Sequence, residues 1–309
     1  MKRTLAFLVL LPLLASAEPN KIVLYDSYGS LERAVITGRV IESTSATEAK
    51  ISDGWFRNLW RNIGAMMNSE KEGVAIELQL GAQKVRVKSD EEGYFQLTVP
   101  AAALASGWQD IMASGKNSRG AGRLLIVPKA NSHGVISDID DTVVVSDVLS
   151  KKKLLENTFL ENPLQRKTFV GTAAFYKRLL AANAVADAVP MFYLSASPRQ
   201  LAENISAFLV QNEFPKGALI TKQISGADKD PLLDQQKYKA AKIEAIFAAM
   251  PWVKFNLIGD DGEKDPEIYR AVQEKFPARV ANVFIRKVNP DPARATYAGQ
   301  LDLAAEIAK

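Results

Sequence analysis

The chain has 309 residues, 47% of them hydrophobic and 24% charged, with a formal net charge of +4. This is an ordinary globular composition, too long for one small core and too weakly basic to imply a nucleic-acid partner, so two domains are expected and nucleic-acid binding is not. There is no cysteine, which excludes disulfides, and burial alone must stabilise the fold.

Met1-Lys2-Arg3 is a short basic start, residues 5–14 are almost wholly apolar, and Ala15-Ser16-Ala17 is an A-x-A cleavage site before Glu18. Residues 1–17 therefore read as a secretory signal peptide. The apolar stretch falls short of the ~20 residues that span a bilayer. A soluble, exported and periplasmic protein beginning near Glu18 is expected, and losing Lys2 and Arg3 takes its charge from +4 to +2.

Short alternating strands are predicted at 22–25, 34–41, 74–80, 84–88, 94–99 and 124–127, separated by Gly and Asp turns. They point to a β-sandwich-like N-terminal domain over 18–130. Within it, Trp55, Phe56, Leu59, Trp60, Ile63, Met66 and Met67 fall at helical spacing, with Arg57 and Arg61 opposite. This helical insert near 55–67 is expected to cover the sandwich, and peripheral contact with a membrane is the alternative.

From 131 to 309 the pattern becomes strand and helix in alternation. Helices are predicted at 172–182, 199–212, 236–249 and 266–275, and apolar strands at 135–137, 190–194, 255–258 and 283–285. Strands separated by helices imply parallel pairing, hence a three-layer α/β domain.

The chemistry concentrates at Val135-Ile-Ser-Asp138-Ile-Asp140-Asp141-Thr142, where a buried strand delivers two carboxylates, two residues apart, to its carboxyl end. One such carboxylate can attack an electrophile while the other manages a proton, with a hard cation screening the charge between them. Three further stations follow. Met191-Phe-Tyr-Leu-Ser195 ends an apolar strand in a hydroxyl, and Ala196-Ser197-Pro198 is expected to open a helix there. Lys239 lies near the start of the next helix, and Phe255-Asn-Leu-Ile-Gly259-Asp260-Asp261 is again an acidic strand tip, with Asp265 beyond it. His133 is the only histidine, which excludes mechanisms needing two imidazoles and weakens a zinc site. No G-x-G-x-x-G or Walker motif accompanies a strand.

Aspartate, hydroxyl, lysine and a second acidic tip, in this order, resemble the four motifs of the haloacid dehalogenase superfamily. More closely, Gly134-Val-Ile-Ser-Asp-Ile-Asp-Asp-Thr142, Leu194-Ser-Ala-Ser-Pro198 and Ile258-Gly-Asp-Asp-Gly-Glu-Lys-Asp-Pro-Glu-Ile-Tyr269 are similar to the actin-patch-type phosphatidate phosphatase family. The likeness runs from about Gly134 to Val288. Asp261 stands where such proteins more often carry serine, and Tyr238 where histidine is common.

The resemblance implies a Mg²⁺-dependent phosphomonoesterase with a haloacid dehalogenase-like fold over 131–309. In that scheme Asp138 is the nucleophile and Asp140 the acid and base. Ser195 and Lys239 bind the phosphoryl oxygens, and Asp138, Asp140 (through its main-chain carbonyl) and Asp260 hold the metal. Thr142, Asp261 and Asp265 support them from behind. The roughly thirty residues between Thr142 and 172, including Lys151-Lys152-Lys153, leave room for a small lid but not for a folded cap of ordinary size. An open site suits a phosphate on something large, with a phospholipid implied first and small or polymeric phosphates as the alternative. An inactive scaffold binding an envelope partner is the reading from a different class.

Overall fold

A computed structural model of the chain describes residues 20–42, 72–144, 167–222, 235–288 and 296–309. The expected signal peptide, the 55–67 helix and the lysine triplet 151–153 lie outside the described residues.

Period-two burial builds the first set of strands: β1 (Asn20–Leu24), β2 (Ser27–Gly29), β3 (Ala34–Glu42), β4 (Ala75–Leu80), β5 (Gln83–Lys88), β6 (Tyr94–Val99), β7 (Gly107–Gly115) and β8 (Ser118–Ile126). In β4, Ile76, Leu78 and Leu80 are buried while Ala75 and Gln79 face solvent, the pattern of a sheet wet on one side. Inward residues of β1, β3, β6, β7 and β8, among them Ile22, Ile36, Phe95, Ile111 and Leu124, meet them in one core. The strands form a single hydrogen-bonded sheet in the order β1-β3-β2-β8-β7-β4-β5, with β6 also on β3. All pairs are antiparallel except β2 with β8.

Next come β9 (His133–Ser137), α1 (Thr172–Leu180), β10 (Met191–Pro198), α2 (Ala202–Gln211), β11 (Ala218–Lys222), α3 (Gln235–Ala249), β12 (Lys254–Asp260), α4 (Asp265–Lys275), β13 (Val280–Arg286), β14 (Gln300–Asp302) and α5 (Leu303–Ile307). Their strands make a six-stranded, wholly parallel sheet in the order β11-β10-β9-β12-β13-β14. Parallel strands covered on both faces carry unbroken apolar runs. Accordingly, Ile136, Phe192 and Leu257 pack against Ile246 of α3 and Val272 of α4. Their neighbours Val135, Met191 and Ile258 pack on the opposite face against Phe175 of α1 and Phe208 of α2. Helices thus cover both faces, as the alternating pattern predicts.

The two sheets share a core. Tyr28, Leu125 and Val127 join the α3 face of the parallel sheet, with the Tyr28 ring edge-on to Phe192 at 5.2 Å. Asp26 Oδ2 accepts from the Leu219 N–H at 3.0 Å, fastening the N-terminal sheet to edge strand β11.

Several elements depart from the sequence expectation. β2, β7, β11, β14 and α5 were not expected, and β10 runs on through Pro198 instead of giving way to a helix there. A 3₁₀ turn (Arg199–Leu201) intervenes before α2.

Candidate active site

β9 lies between β10 and β12, so the residues that follow these three strands meet at one end of the sheet, where open parallel sheets carry ligands. The Asp138 N–H donates to Ile258 O at 2.8 Å, fixing the first acidic tip beside the second. Ser137 Oγ donates to the Asp138 carbonyl and meets Tyr176 Oη, both at 2.6 Å, which ties the turn to α1. Asp141 takes a left-handed backbone (φ 57°), a conformation aspartate tolerates, and the chain doubles back through a bridge from Asp140 to Val144.

Lys239 is 1% exposed and projects from α3 into this turn. Its Nζ donates to Asp138 Oδ1 at 2.7 Å and to Asp265 Oδ1 at 2.6 Å, and Glu263 Oε2 stands 3.8 Å away. Burial alone would depress the ammonium, but Asp138 and Asp265 more than offset it and hold it well above its usual value. Thr142 Oγ1 lies 3.4 Å from both Asp138 Oδ2 and Asp260 Oδ2. Asp260 is held in turn by the Gly262 N–H, 2.7 Å from its Oδ1.

Asp140 occupies the other side of the turn. Its Oδ2 accepts from the hydroxyls of Ser195 and Ser197, each at 3.3 Å, while its Oδ1 is buried with no hydrogen-bond partner among the described residues. Burial, reinforced by Glu263, pushes its carboxyl up to about 6. Ser197, which also donates its N–H to Ser195 Oγ at 3.0 Å, was not expected at the site.

The candidates therefore converge with one exception. Asp138, Asp140, Thr142, Ser195, Lys239, Asp260 and Asp265 share this strand end. Asp261 turns away, accepting from the Val288 N–H at 2.7 Å through Oδ1. Arg286, which carried no signal in the sequence, is 6% exposed; it donates to Thr142 O at 3.3 Å and to Thr172 Oγ1 at 3.1 Å, pinning the acidic turn to α1. His133 is exposed at the opposite end of β9.

Asp138, Asp260 and Asp265 each offer a carboxylate oxygen, and these atoms lie within 4.8 Å of one another. Burial pushes Asp138 and Asp260 well above the usual carboxylate range; Lys239 pulls both back and Asp265 adds to both shifts. Three buried carboxylates against one ammonium leave an excess of negative charge. The oxygen donors and the excess charge fit a hard divalent cation of the Mg²⁺ type.

Gly259 gives α4 room to place Asp265 here. A Cβ at Gly259 would lie 2.3 Å from Asp265 Oδ2 and 2.7 Å from its Cβ. Gly259→Ala is expected to push Asp265 off Lys239 at a cost of about 1–3 kcal/mol, the range for forced overpacking. Urea unfolding measures it, and a midpoint equal to that of the parent would show that the contact yields freely.

The model of the family described as "Phosphatidate phosphatase APP1, catalytic domain" matches residues 133–287, from β9 through β13, a span that holds every candidate residue. Phosphatidate phosphatase APP1 of Saccharomyces cerevisiae is 34% identical over 155 residues, covering 50% of this chain and 25% of that protein. An uncharacterized protein of Schizosaccharomyces pombe is 28% identical over 162 residues, 52% of this chain and 26% of that protein. The chain thus spans about a quarter of the length of these curated relatives. Among solved structures, XAC1771 from Xanthomonas citri, described as a carbohydrate acetylesterase, aligns over 87% of this chain and 67% of its own at 12% identity and a TM-score of 0.31, too distant to bear on fold or function. With half of its residues matched, and with the acidic strand tips, the lysine and the serines all inside the match, the chain belongs to the phosphatidate phosphatase APP1 catalytic-domain family.

Proposed function

We propose that the protein is a Mg²⁺-dependent phosphatidate phosphatase working through an aspartyl-phosphate on Asp138. The observation that carries this reading is the convergence of Asp138, Asp140, Ser195, Lys239 and Asp260 at one end of the parallel sheet, inside the span that matches the family. Asp138 attacks phosphorus and the lipid alcohol leaves. Asp140 protonates that oxygen through Oδ1, which has no partner among the described residues, then takes a proton from the hydrolytic water. A carboxyl near 6 suits a group that must both give and accept a proton near neutrality. The hydroxyls of Ser195 and Ser197 hold its other oxygen and so fix which one faces substrate. Lys239 binds the phosphoryl oxygens and balances their charge, and Ser195 turns its hydroxyl from Asp140 to them while Ser197 keeps Asp140 in place.

Asp138, Asp260 and the main-chain carbonyl of Asp140 would hold Mg²⁺, supported by Thr142 and Asp265. The ion would supply charge neutralisation at the phosphoryl group. We read residues 131–309 as a haloacid dehalogenase-like domain, 18–130 as a sandwich-like domain, and 1–17 as an export signal to the periplasm.

Phosphate release from phosphatidate, lysophosphatidate, sugar phosphates, nucleotides and phosphopeptides, with Mg²⁺ and with EDTA, tests the reading. Phosphatidate should be hydrolysed fastest, and EDTA should stop it until Mg²⁺ is restored. Release in EDTA equal to that in Mg²⁺ would remove the metal. A faster rate on a soluble phosphate would move the substrate away from lipid.

A further inference from the structure

A cavity of about 300 Å³, lined by none of the aspartates of the acidic cluster, lies between the outer face of β3 and β6, the edge strand β11 and helix α3. That volume is at the lower end of the range for small-molecule sites. Its two walls differ in character. Along α3 it is lined by Ala241, Ala245 and Ala248, an open apolar wall of small side chains. Three cations, Arg33, Arg199 and Lys242, also line it against one carboxylate, Asp26, so its net charge is positive.

Arg199 stacks on the Tyr25 ring at 3.8 Å and donates to Thr221 O at 3.2 Å, which satisfies its geometry but not its charge. Lys242 Nζ lies 5.8 Å from the centre of the Tyr238 ring. No carboxylate pairs with either one among the described residues. Asp26, which also lines the cleft, is engaged with Arg123 at 3.1 Å and with the Leu219 N–H. Burial, and then the charge of Arg199, lower the Lys242 ammonium from its usual value, so the two cations are near enough to repel each other. Tyr238 also lines the cavity, and its buried hydroxyl has no hydrogen-bond partner among the described residues. A buried phenol without a partner is an unmet polar demand at the same place as the unmet charge.

We propose that this cleft is a second binding site, for an amphipathic organic anion whose oxyanion head sits between Arg199 and Lys242 and whose apolar part lies along the alanine wall of α3. The oxyanion can be a carboxylate, a sulfate or a phosphate ester, since Arg and Lys recognise all three through charge-assisted hydrogen bonds. The apolar part is placed on the alanine wall, while Thr37, Gln96 and Thr98 line the side that faces it. Tyr238 and Lys239 are consecutive on α3, one facing the cleft and the other the aspartates, so an occupant here would lean on the helix that carries the catalytic-site lysine. The proposal stands apart from the phosphatase reading and holds even if no phosphatase activity is found.

Calorimetric titration of the full chain below micellar concentrations tests it, with octanoate and octyl sulfate as probes, sodium sulfate as the head alone and octanol as the tail alone. Both amphiphiles should bind saturably at one site, and sulfate and octanol each at least about tenfold more weakly, the loss expected when one charge-assisted contact or its apolar complement is removed. Lys242→Glu should weaken octyl sulfate at least about tenfold by placing a like charge at the head. Ala245→Trp should do the same by filling the wall. Asp138→Asn, at the other site, should leave the titration unchanged. Ala245 is exposed, and Ala245→Leu replaces the tryptophan variant should that one not fold. No saturable binding, equal affinity for sulfate and octyl sulfate, parental affinity in Lys242→Glu, or loss of binding in Asp138→Asn would each overturn the proposal.

Discussion

Asp138→Asn is expected to abolish phosphate release, by more than the ~10² that a single acid-base or oxyanion contact usually contributes, while leaving the protein folded. An amide does not serve as the nucleophile in an aspartyl-phosphate mechanism, and it is a poorer ligand for a hard cation. The fold should survive because the contacts that place residue 138 are made by its backbone: its N–H donates to Ile258 O and its carbonyl accepts from Ser137 Oγ. Stability in EDTA should even rise slightly. The Asp138 carboxyl is pushed up first by burial and further by Asp265 and Asp260, so the side chain resists ionisation where it sits, and a neutral isostere removes that cost. Lys239 keeps Asp265 as its partner. Activity within a hundredfold of the parent would exclude covalent catalysis by this residue. A large fall in the urea midpoint would instead make Asp138 a structural residue.

The stations of the site were legible because each closes a segment with a strong local signal. An apolar β-branched run that stops at carboxylates, as at Ile136 and Ile258, identifies a strand and its polar end together, whatever the partners. What the sequence does not carry is which neighbour each side chain selects. Asp261 and Asp265 both follow the same strand and look equivalent in sequence. The geometry separates them because α4 begins at Asp265, with Pro266 in its first turn, and returns that carboxylate over Gly259 to Lys239, whereas Asp261 is drawn off by the Val288 N–H. Ser197 was passed over because a helix was expected to open at Pro198. Pairing of Pro198 with Lys222 on β11 instead extends the strand and brings a second hydroxyl to Asp140. Arg286 reaches Thr142 across 144 positions of sequence, a contact that no local pattern encodes.

The missed strands share a cause. β7 carries Trp108, Ile111 and Ala113 among polar and small residues, and its burial follows from β4 and β8 on either side more than from its own alternation. β11 and β14 are the two edges of the parallel sheet. β14 has only three residues, none of them fully buried, too short for a period to register. Edge strands are defined by the neighbour they find, and here β11 finds its second neighbour in the N-terminal sheet, through Asp26.

Lys239→Met is expected to give the largest loss of stability among single changes at the site. The substitution keeps a long unbranched side chain and removes only the charge, so its effect reports electrostatics more than packing. In the parent the ammonium is 1% exposed and donates to Asp138 and Asp265 at 2.7 and 2.6 Å. Without it, carboxylates of Asp138, Asp260 and Asp265 lie within 4.8 Å of one another with no cation between them. Removing one partner of a buried ion pair costs about 3–5 kcal/mol, because the remaining charge has neither water nor a counter-ion. The loss should depend on pH in a defined direction. Carboxylates raised in the folded state bind protons more tightly there than in the unfolded chain, so their contribution is full below the unfolded value and falls as pH rises through the folded one. For Asp140 that window runs from 3.8 to about 6, and Asp138 and Asp260 are shifted the same way. The variant in EDTA should therefore be least destabilised near pH 5 and most at pH 8, with a steeper slope than the parent, since Lys239 no longer pulls these values back. Mg²⁺ should recover part of the loss at pH 8 by binding the folded cluster. Urea unfolding at pH 5 and pH 8, with and without Mg²⁺, measures all of this. Equal stability of variant and parent at pH 8 in EDTA would show that Lys239 does not carry the counter-charge of the acidic cluster.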